Sequence, residues 1–188
     1  AQLVDDSVRG DKMIGVLSLR TGMEGSPEPE DLYSVGTVTG IDRLYRFPGN
    51  IIRLHLRGLA RFRILDFLET DSPYLMARVQ QLNTEFSGTD IELDAWQNTI
   101  MLQLKQIFEL TRSVPDDTQF LELSDDPDKL SFLAASRIEA SIQEKQNILA
   151  EDNLLRRLLL LSNLMEKEIR ILKLRNKIQG QVRTEIEK

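Results

Sequence analysis

The sequence has no cysteine, a single histidine, and no apolar run of membrane-spanning length. Without cysteine there are no disulfides and no thiolate metal ligands. With His55 standing alone, the usual two- or three-histidine metal sites are excluded as well. The most apolar stretch, LLRRLLLLSNLM (154–165), falls short of the roughly 18 to 20 residues a span needs and contains Arg156 and Arg157. No secretory leader is visible, and the chain does not open with methionine, so a processed or trimmed chain is expected. Catalytic signatures are missing too: there is no GxxxxGK[ST] phosphate loop, no GxSxG elbow and no HExxH helix. The glycine-rich GSPEPEDLYSVGTVTG (25–40) has neither the spacing nor the following helix of a dinucleotide fingerprint. This segment is therefore expected to hold no metal, no cofactor and no catalytic residue.

What is present is an ordinary folding composition. Of 188 residues, 41% are hydrophobic and 29% charged, enough for one large domain or two small lobes. The net charge of −6 speaks against a general nucleic-acid binder. It is unevenly spread, however. Residues 34–67 carry six arginines against Asp42 and Asp66, a local +4 that leaves −10 for the rest.

Residues 12–86 have the pattern of strands. KMIGVLSLR (12–20) runs into a Gly/Pro/Glu-rich loop, TGMEGSPEPED (21–31), and LYSVGTVTGIDRLYRF (32–47) ends at the turn residues Pro48-Gly49-Asn50. Beyond the turn Ile52, Leu54 and Leu56 alternate with Arg53, His55 and Arg57, which sends successive side chains to opposite faces. Gly58 interrupts, and Phe62 and Ile64 then alternate with Arg61 and Arg63. YLMARVQQL (74–82), entered after Pro73, reads as one more strand. The expectation is a small antiparallel sheet or barrel of about four to six strands.

From Thr89 the period changes to that of a helix. Thr89 or Asp90 caps a segment with Leu93, Trp96, Ile100, Leu104, Ile107 and Phe108 on one face, ended by Pro115. A short helix is expected at TQFLEL (118–123). In the next helix Asp126 caps, Pro127 opens the first turn, and Leu130, Leu133, Ala134 and Ile138 line one side. EKQNILAED (144–152) is a further turn or short helix. From Asp152 to about Lys188 no proline intervenes, which predicts a helix of about 54 Å. Its first half has a broad apolar arc: Leu154, Leu155, Leu158, Leu159, Leu161, Leu164 and Met165. The second half narrows to Ile171, Leu174, Ile178, Val182 and Ile186 between charged residues, a seam suited to one partner helix. That helix should leave its own domain, to pair with another subunit or to lead into a further domain.

His55, in phase with Arg53 and Arg57, reads as a solvated strand position, because neighbouring cations disfavour an ionising histidine and no orienting acid is evident. SDDPD (124–128) reads as a helix start, with acidic groups at the positive end of the dipole. The arginine row reads as a solvated face or a contact between lobes; the nucleic-acid reading would need stacking aromatics, and Phe62 has the parity of the core.

Three stretches carry a family likeness: GDKMIGVLSLR (10–20), DLYSVGTVTGIDRLYRFPGNIIRLHLRGLARFRILDF (31–67) and NLLRRLLLLSNLMEKEIRILKLRNKIQGQVRTEIEK (153–188). Together they closely resemble the amino-terminal region of the Lon family of ATP-dependent proteases. The resemblance implies an α+β chain, with a small antiparallel β-barrel-like (PUA-like) lobe over 1–86 and an α-helical bundle with a long exit helix over 87–188. It also implies that this region is non-catalytic, recognises unfolded or degron-bearing protein substrates, and supports a cytoplasmic homohexamer. The ATPase module, with ATP and Mg, and the Ser-Lys protease are expected elsewhere in the parent chain. Family members open with two strands and a helix, and AQLVDDSVRGDK (1–12) resembles the tail of that helix, so the opening strands are expected to be missing.

Within this frame Leu44, Tyr45 and Phe47 at the hairpin tip are the expected substrate-binding residues, since unfolded chains bind exposed apolar surface. Ile171, Leu174, Ile178, Val182 and Ile186 are the expected assembly residues. The alternatives are an RNA-binding PUA-like regulator and a free-standing protein with only the substrate-binding domain. Neither nucleic acid nor membrane is the expected partner.

Overall fold

The computed structural model describes residues 2–20, 27–112 and 126–186, with side chains as far as Gln181. The helix expected at 118–123, and its break at Pro115, lie outside the described residues. The chain forms two compact units, Ala1–Asn83 and Thr84–Lys188.

The first unit opens with helix α1 (Gln2–Arg9) and continues as a four-stranded antiparallel meander. Its strands are β1 (Met13–Val16), β2 (Val35–Phe47), β3 (Ile51–Leu68) and β4 (Met76–Leu82), in sheet order β1-β2-β3-β4. The β2–β3 turn uses Pro48, then Gly49 and Asn50, whose φ angles of +80° and +61° favour these two residue types. β1 pairs with β2 only as far as Gly40, and β4 pairs with β3 only from Arg61 onward. The strands therefore run past the four-stranded sheet as a two-stranded ribbon, Ile41–Phe47 against Ile51–Leu56, roughly 20 Å long.

Three register shifts interrupt the ladder, placing single extra residues at Leu59 and Leu65 of β3 and at Asp42 of β2. Each shift reverses the alternation, because an extra residue in one strand turns all later side chains to the other face. The expected single row of arginines is therefore wrong. Register places Arg43, Arg53 and Arg57 on the face that also carries Val38 and Phe62, and Arg46, Arg61 and Arg63 on the opposite one. Arg61 is buried, with its guanidinium donating to the Asn83 carbonyl at 3.2 Å.

Phe62 anchors this unit at 3% exposure. Its ring fits because two strand positions beside it lack side chains: a Cβ on Gly36 would lie 2.8 Å from the ring and one on Gly15 would lie 3.2 Å from it.

The second unit is helical: α2 (Asp90–Thr111), α3 (Pro127–Arg137), α4 (Ile142–Ala150) and α5 (Leu154–Ile186). Thr89 and Glu92 form a reciprocal capping box on α2, and Ser141 and Glu144 form one on α4. Asp126 accepts from the backbone N–H groups of Asp128 and Lys129 to cap α3, so Asp126-Pro127-Asp128 begins a helix as expected. The core joins Ile100, Leu104 and Ile107 of α2 with Leu130 and Ala134 of α3, Ile148 of α4, and Leu158, Leu161, Met165, Ile169 and Leu172 of α5.

The inner arc of α5 is narrower than its composition suggests. Leu159 and Leu160 face outward, and Arg157 holds an interior position with no exposed surface. Its guanidinium pairs with Asp128, donates to Ser131 Oγ, Thr84 Oγ1 and the Glu151 carbonyl, and lies 4.4 Å over the Phe132 ring. Thr84 in turn donates to Asp128 at 2.7 Å. A buried guanidinium is tolerable only when its donors are satisfied, and this one closes a network across the start of the unit, α3 and α5.

Candidate functional site

The face of the β sheet that carries Val38 and Phe62 forms the floor of an open cleft of about 1050 Å³. Phe67 and Ala77 join the floor and Val79 the rim, because the shift at Leu65 returns Phe67 to the side of Phe62. Leu3 of α1, Leu17 and Pro27 line one side; Pro73, Tyr74 and Leu75, from the β3–β4 connection, line another. Tyr74 donates to Asp6 at 3.1 Å, tying that connection to α1 and raising the phenol's pKa. The lining is dominated by aliphatic and aromatic side chains, and Leu75 and Val79 stand exposed at its rim. β1 and β4 are the two edges of the sheet, so each presents an outer row of backbone groups unpaired by another strand.

Past the cleft, the same face continues along the ribbon. The cross-strand pairs Arg43–His55, Tyr45–Arg53 and Phe47–Ile51 present cationic and aromatic side chains together. Tyr45, Phe47 and Ile51 are 41%, 45% and 62% exposed. Arg53 lies over the Phe47 ring at 5.5 Å, and His55 meets the Tyr45 ring edge-on at 5.9 Å. His55 is exposed and has no carboxylate partner among the described residues, which fits a solvated strand position rather than a general base.

The expected tip residues do not form one patch. Tyr45 and Phe47 share the cationic face, whereas register turns Leu44 to the other side with Ile52 and Leu54, all three half-buried. Arg46 projects from that second face and pairs with Asp5, which ties α1 to it. Of the expected assembly residues, Ile171, Leu174 and Ile178 are exposed on α5, on a side of the helix away from Met165, Ile169 and Leu172. Every described side chain from Lys173 to Gln181 is exposed. The side chains of Val182 and Ile186 lie outside the described residues.

The cleft was not expected from the sequence. Its signals were Gly15 and Gly36 inside strands, where a close approach is implied, and the apolar pair Tyr74-Leu75 after Pro73. Among the described residues no group of three or more acidic or histidine side chains could hold a metal ion. Nor is any described helix long and apolar enough to cross a membrane.

An apolar cleft on a small antiparallel sheet, joined in sequence to a helical unit with a long last helix, has the form of a binding domain. Residues 1–167 match the family model of the ATP-dependent protease La (LON) substrate-binding domain, and the chain belongs to that family. It is 34% identical over 188 residues to the Lon protease of Dictyoglomus thermophilum, covering all of this chain and 23% of that protein. Lon protease 2 of Myxococcus xanthus is also 34% identical, over 99% of this chain and 22% of its own length. The chain thus spans about a quarter of the curated relatives it matches. Two solved structures share the fold: the Lon N-terminal domain protein from Xanthomonas campestris and the N-terminal domain of Mycobacterium avium complex Lon protease. The first has a TM-score of 0.56 at 18% identity over 84% of this chain and 78% of its own. The second has a TM-score of 0.58 at 16% identity over 87% and 82%.

Proposed function

We propose that this chain is the non-catalytic front end of a Lon-type ATP-dependent serine protease and that its β unit captures unfolded or degron-bearing protein segments. The observation that carries the reading is the open apolar cleft of about 1050 Å³ beside two sheet edges. An extended segment can bury apolar side chains in such a cleft and hydrogen-bond its backbone along an edge, so binding needs little sequence specificity. Tyr45 and Phe47 extend the apolar surface beyond the cleft. The parent chain is read as a cytoplasmic AAA+ enzyme whose ATP, Mg and Ser-Lys dyad belong to modules other than this one. Assembly into a homohexamer is assigned to the outer seam of α5: Ile171, Leu174 and Ile178, with Val182 and Ile186 continuing the pattern. The RNA-binding alternative is not favoured, since the six arginines are divided three and three between two sheet faces in a chain of net charge −6.

The test is capture of a permanently unfolded, reduced model protein by the 188-residue chain, read by fluorescence anisotropy. Leu75→Asp with Val79→Asp changes only exposed rim positions and is expected to weaken capture at least tenfold while the circular dichroism spectrum stays unchanged. No capture by the unsubstituted chain, or undiminished capture by this variant, would sink the assignment.

A further inference from the structure

We infer that the ribbon face beyond the cleft is a second recognition surface, which selects acidic, aromatic-bearing stretches of an extended polypeptide. The inference rests on the substrate-binding reading of the cleft but concerns different residues. Its basis is charge complementarity. Arg43, Arg53 and Arg57 project from this face, and the one carboxylate among them, Asp42, is engaged by Arg57 at 3.3 Å. Neither Arg43 nor Arg53 has a carboxylate partner among the described residues. This is notable in a chain of net charge −6, where acidic side chains outnumber basic ones 30 to 24. A guanidinium left without a carboxylate beside an exposed aromatic ring can take a carboxylate from a partner in bidentate fashion, while the ring packs on an apolar side chain.

The backbone favours an extended occupant. From Asp42 to Phe47 and from Ile51 to Leu56 each strand pairs only with the other among the described strands, so the outer edges of the ribbon are open to a third strand. Side chains of a strand added there would alternate between faces. Every second residue would come beside Arg43, Tyr45 and Phe47, or beside His55 and Arg53. A segment with Asp or Glu and aromatic residues at alternate positions fits this face; a lysine-bearing segment would meet like charge. The cleft, by contrast, has an apolar lining and no reason to distinguish charge sign.

The experiment measures binding of fluorescein-labelled peptides to the 188-residue chain at low salt. One peptide repeats Glu-Ser-Tyr-Ser, so that Glu and Tyr share a face when extended, the second repeats Lys-Ser-Tyr-Ser at equal length, and the third probe is an oligouridylate of matched charge. The acidic peptide should bind at least tenfold more tightly than the basic one. R43E with R53E, both at exposed positions, should remove or reverse that preference, while capture of the unfolded model protein in the cleft persists. Conversely, Leu75→Asp with Val79→Asp should abolish capture and leave the peptide preference in place. Equal binding of the two peptides would overturn the inference, as would a preference that survives R43E/R53E. Tighter binding of the oligouridylate, with a steep salt slope lost in R43E/R53E, would overturn it in favour of RNA. Failure of capture alone would count against the cleft and leave this surface standing.

Discussion

The Arg157 guanidinium of α5 is wholly buried against Asp128 of α3, whose own side chain is 40% exposed. The asymmetry matters. Removing the arginine strands a carboxylate that can turn toward water, whereas removing the aspartate leaves a cation with no escape. Arg157 also satisfies Thr84, Ser131 and the Glu151 carbonyl, so Arg157→Ala loses several bonds and the packing against Phe132 at once. We expect it to destabilise the helical unit by roughly 3 kcal/mol, and Asp128→Ala to cost at least as much. Trp96, packed against the core of this unit, provides the readout in urea titrations followed by fluorescence. Arg157→Lys should rescue little, since a point charge cannot span the fork of partners. A near-neutral Arg157→Ala would show the network to be ornamental.

Much of the architecture is legible from residue pattern alone. Period-two alternation around Arg53–Arg57, the Pro48-Gly49-Asn50 turn and the caps at Thr89 and Asp126 all correspond to observed elements. Parity across β3 is not legible in this way. Leu59 and Leu65 look like ordinary members of an apolar-basic run, yet each shifts the register and turns the later side chains to the other face. No local propensity marks a bulge of this kind, because it is fixed by pairing with a distant strand. For that reason the residue pattern puts Arg53, Arg57, Arg61 and Arg63 in one row that the shift at Leu59 divides, whereas Leu44 parts from Tyr45 and Phe47 by simple strand alternation. The interior place of Arg157 is hidden likewise: in LLRRLLLL either arginine breaks the apolar run, and only Asp128 and Thr84, far away in sequence, decide which one turns inward.

The packing of Phe62 against Gly36 predicts a sharp intolerance. A Cβ at Gly36 would sit 2.5 Å from the Val16 carbonyl oxygen and 2.8 Å from the Phe62 ring. A ring can move, but a carbonyl held in the β1–β2 pairing cannot do so cheaply. Gly36→Ala should therefore lower stability of the β unit by about 2 to 3 kcal/mol, read by thermal unfolding in far-UV circular dichroism. Adding Phe62→Leu should not restore it. Rescue by that second change would locate the strain in the ring contact and not in the backbone.

Two carboxylates of the helical unit should pull its acid stability in opposite directions. The Ser141 backbone N–H, then its hydroxyl and the Lys167 ammonium, hold Glu144 down at about 2 from its ordinary 4.5. Its contribution is complete above pH 4.5 and drains away as pH falls toward 2. Glu168 is shifted upward, chiefly by burial, against the opposing bond it accepts from the Glu139 N–H at 3.1 Å. A raised carboxylate favours the folded state below 4.5, and that contribution is lost as pH rises through its folded value. Glu144→Gln should flatten the fall in urea midpoint between pH 4.5 and 2. Glu168→Gln should raise the midpoint at neutral pH and leave the acid limb intact. The assignment fails if either variant shows the other's profile.

The outer seam of α5 gives the last prediction. Met165, Ile169 and Leu172 complete the core of the helical unit, and Asn176 still donates to the Leu110 carbonyl at the end of α2, at 3.2 Å. Ile171, Leu174 and Ile178 lie on another side of the helix, with Leu174 at 59% exposure. Their spacing of three and four residues keeps them on one narrow stripe, too thin for a core but enough for one partner helix. Leu174→Asp with Ile178→Asp alters no buried contact, so the Trp96 unfolding curve should not move. Self-association measured by sedimentation velocity should weaken at least tenfold, because each change places a charge in a seam that association would dehydrate. If the sedimentation coefficient keeps its concentration dependence, the stripe is a solvated helix face and assembly must use other surfaces. If the unfolding curve shifts as well, the stripe belongs to the fold of its own unit.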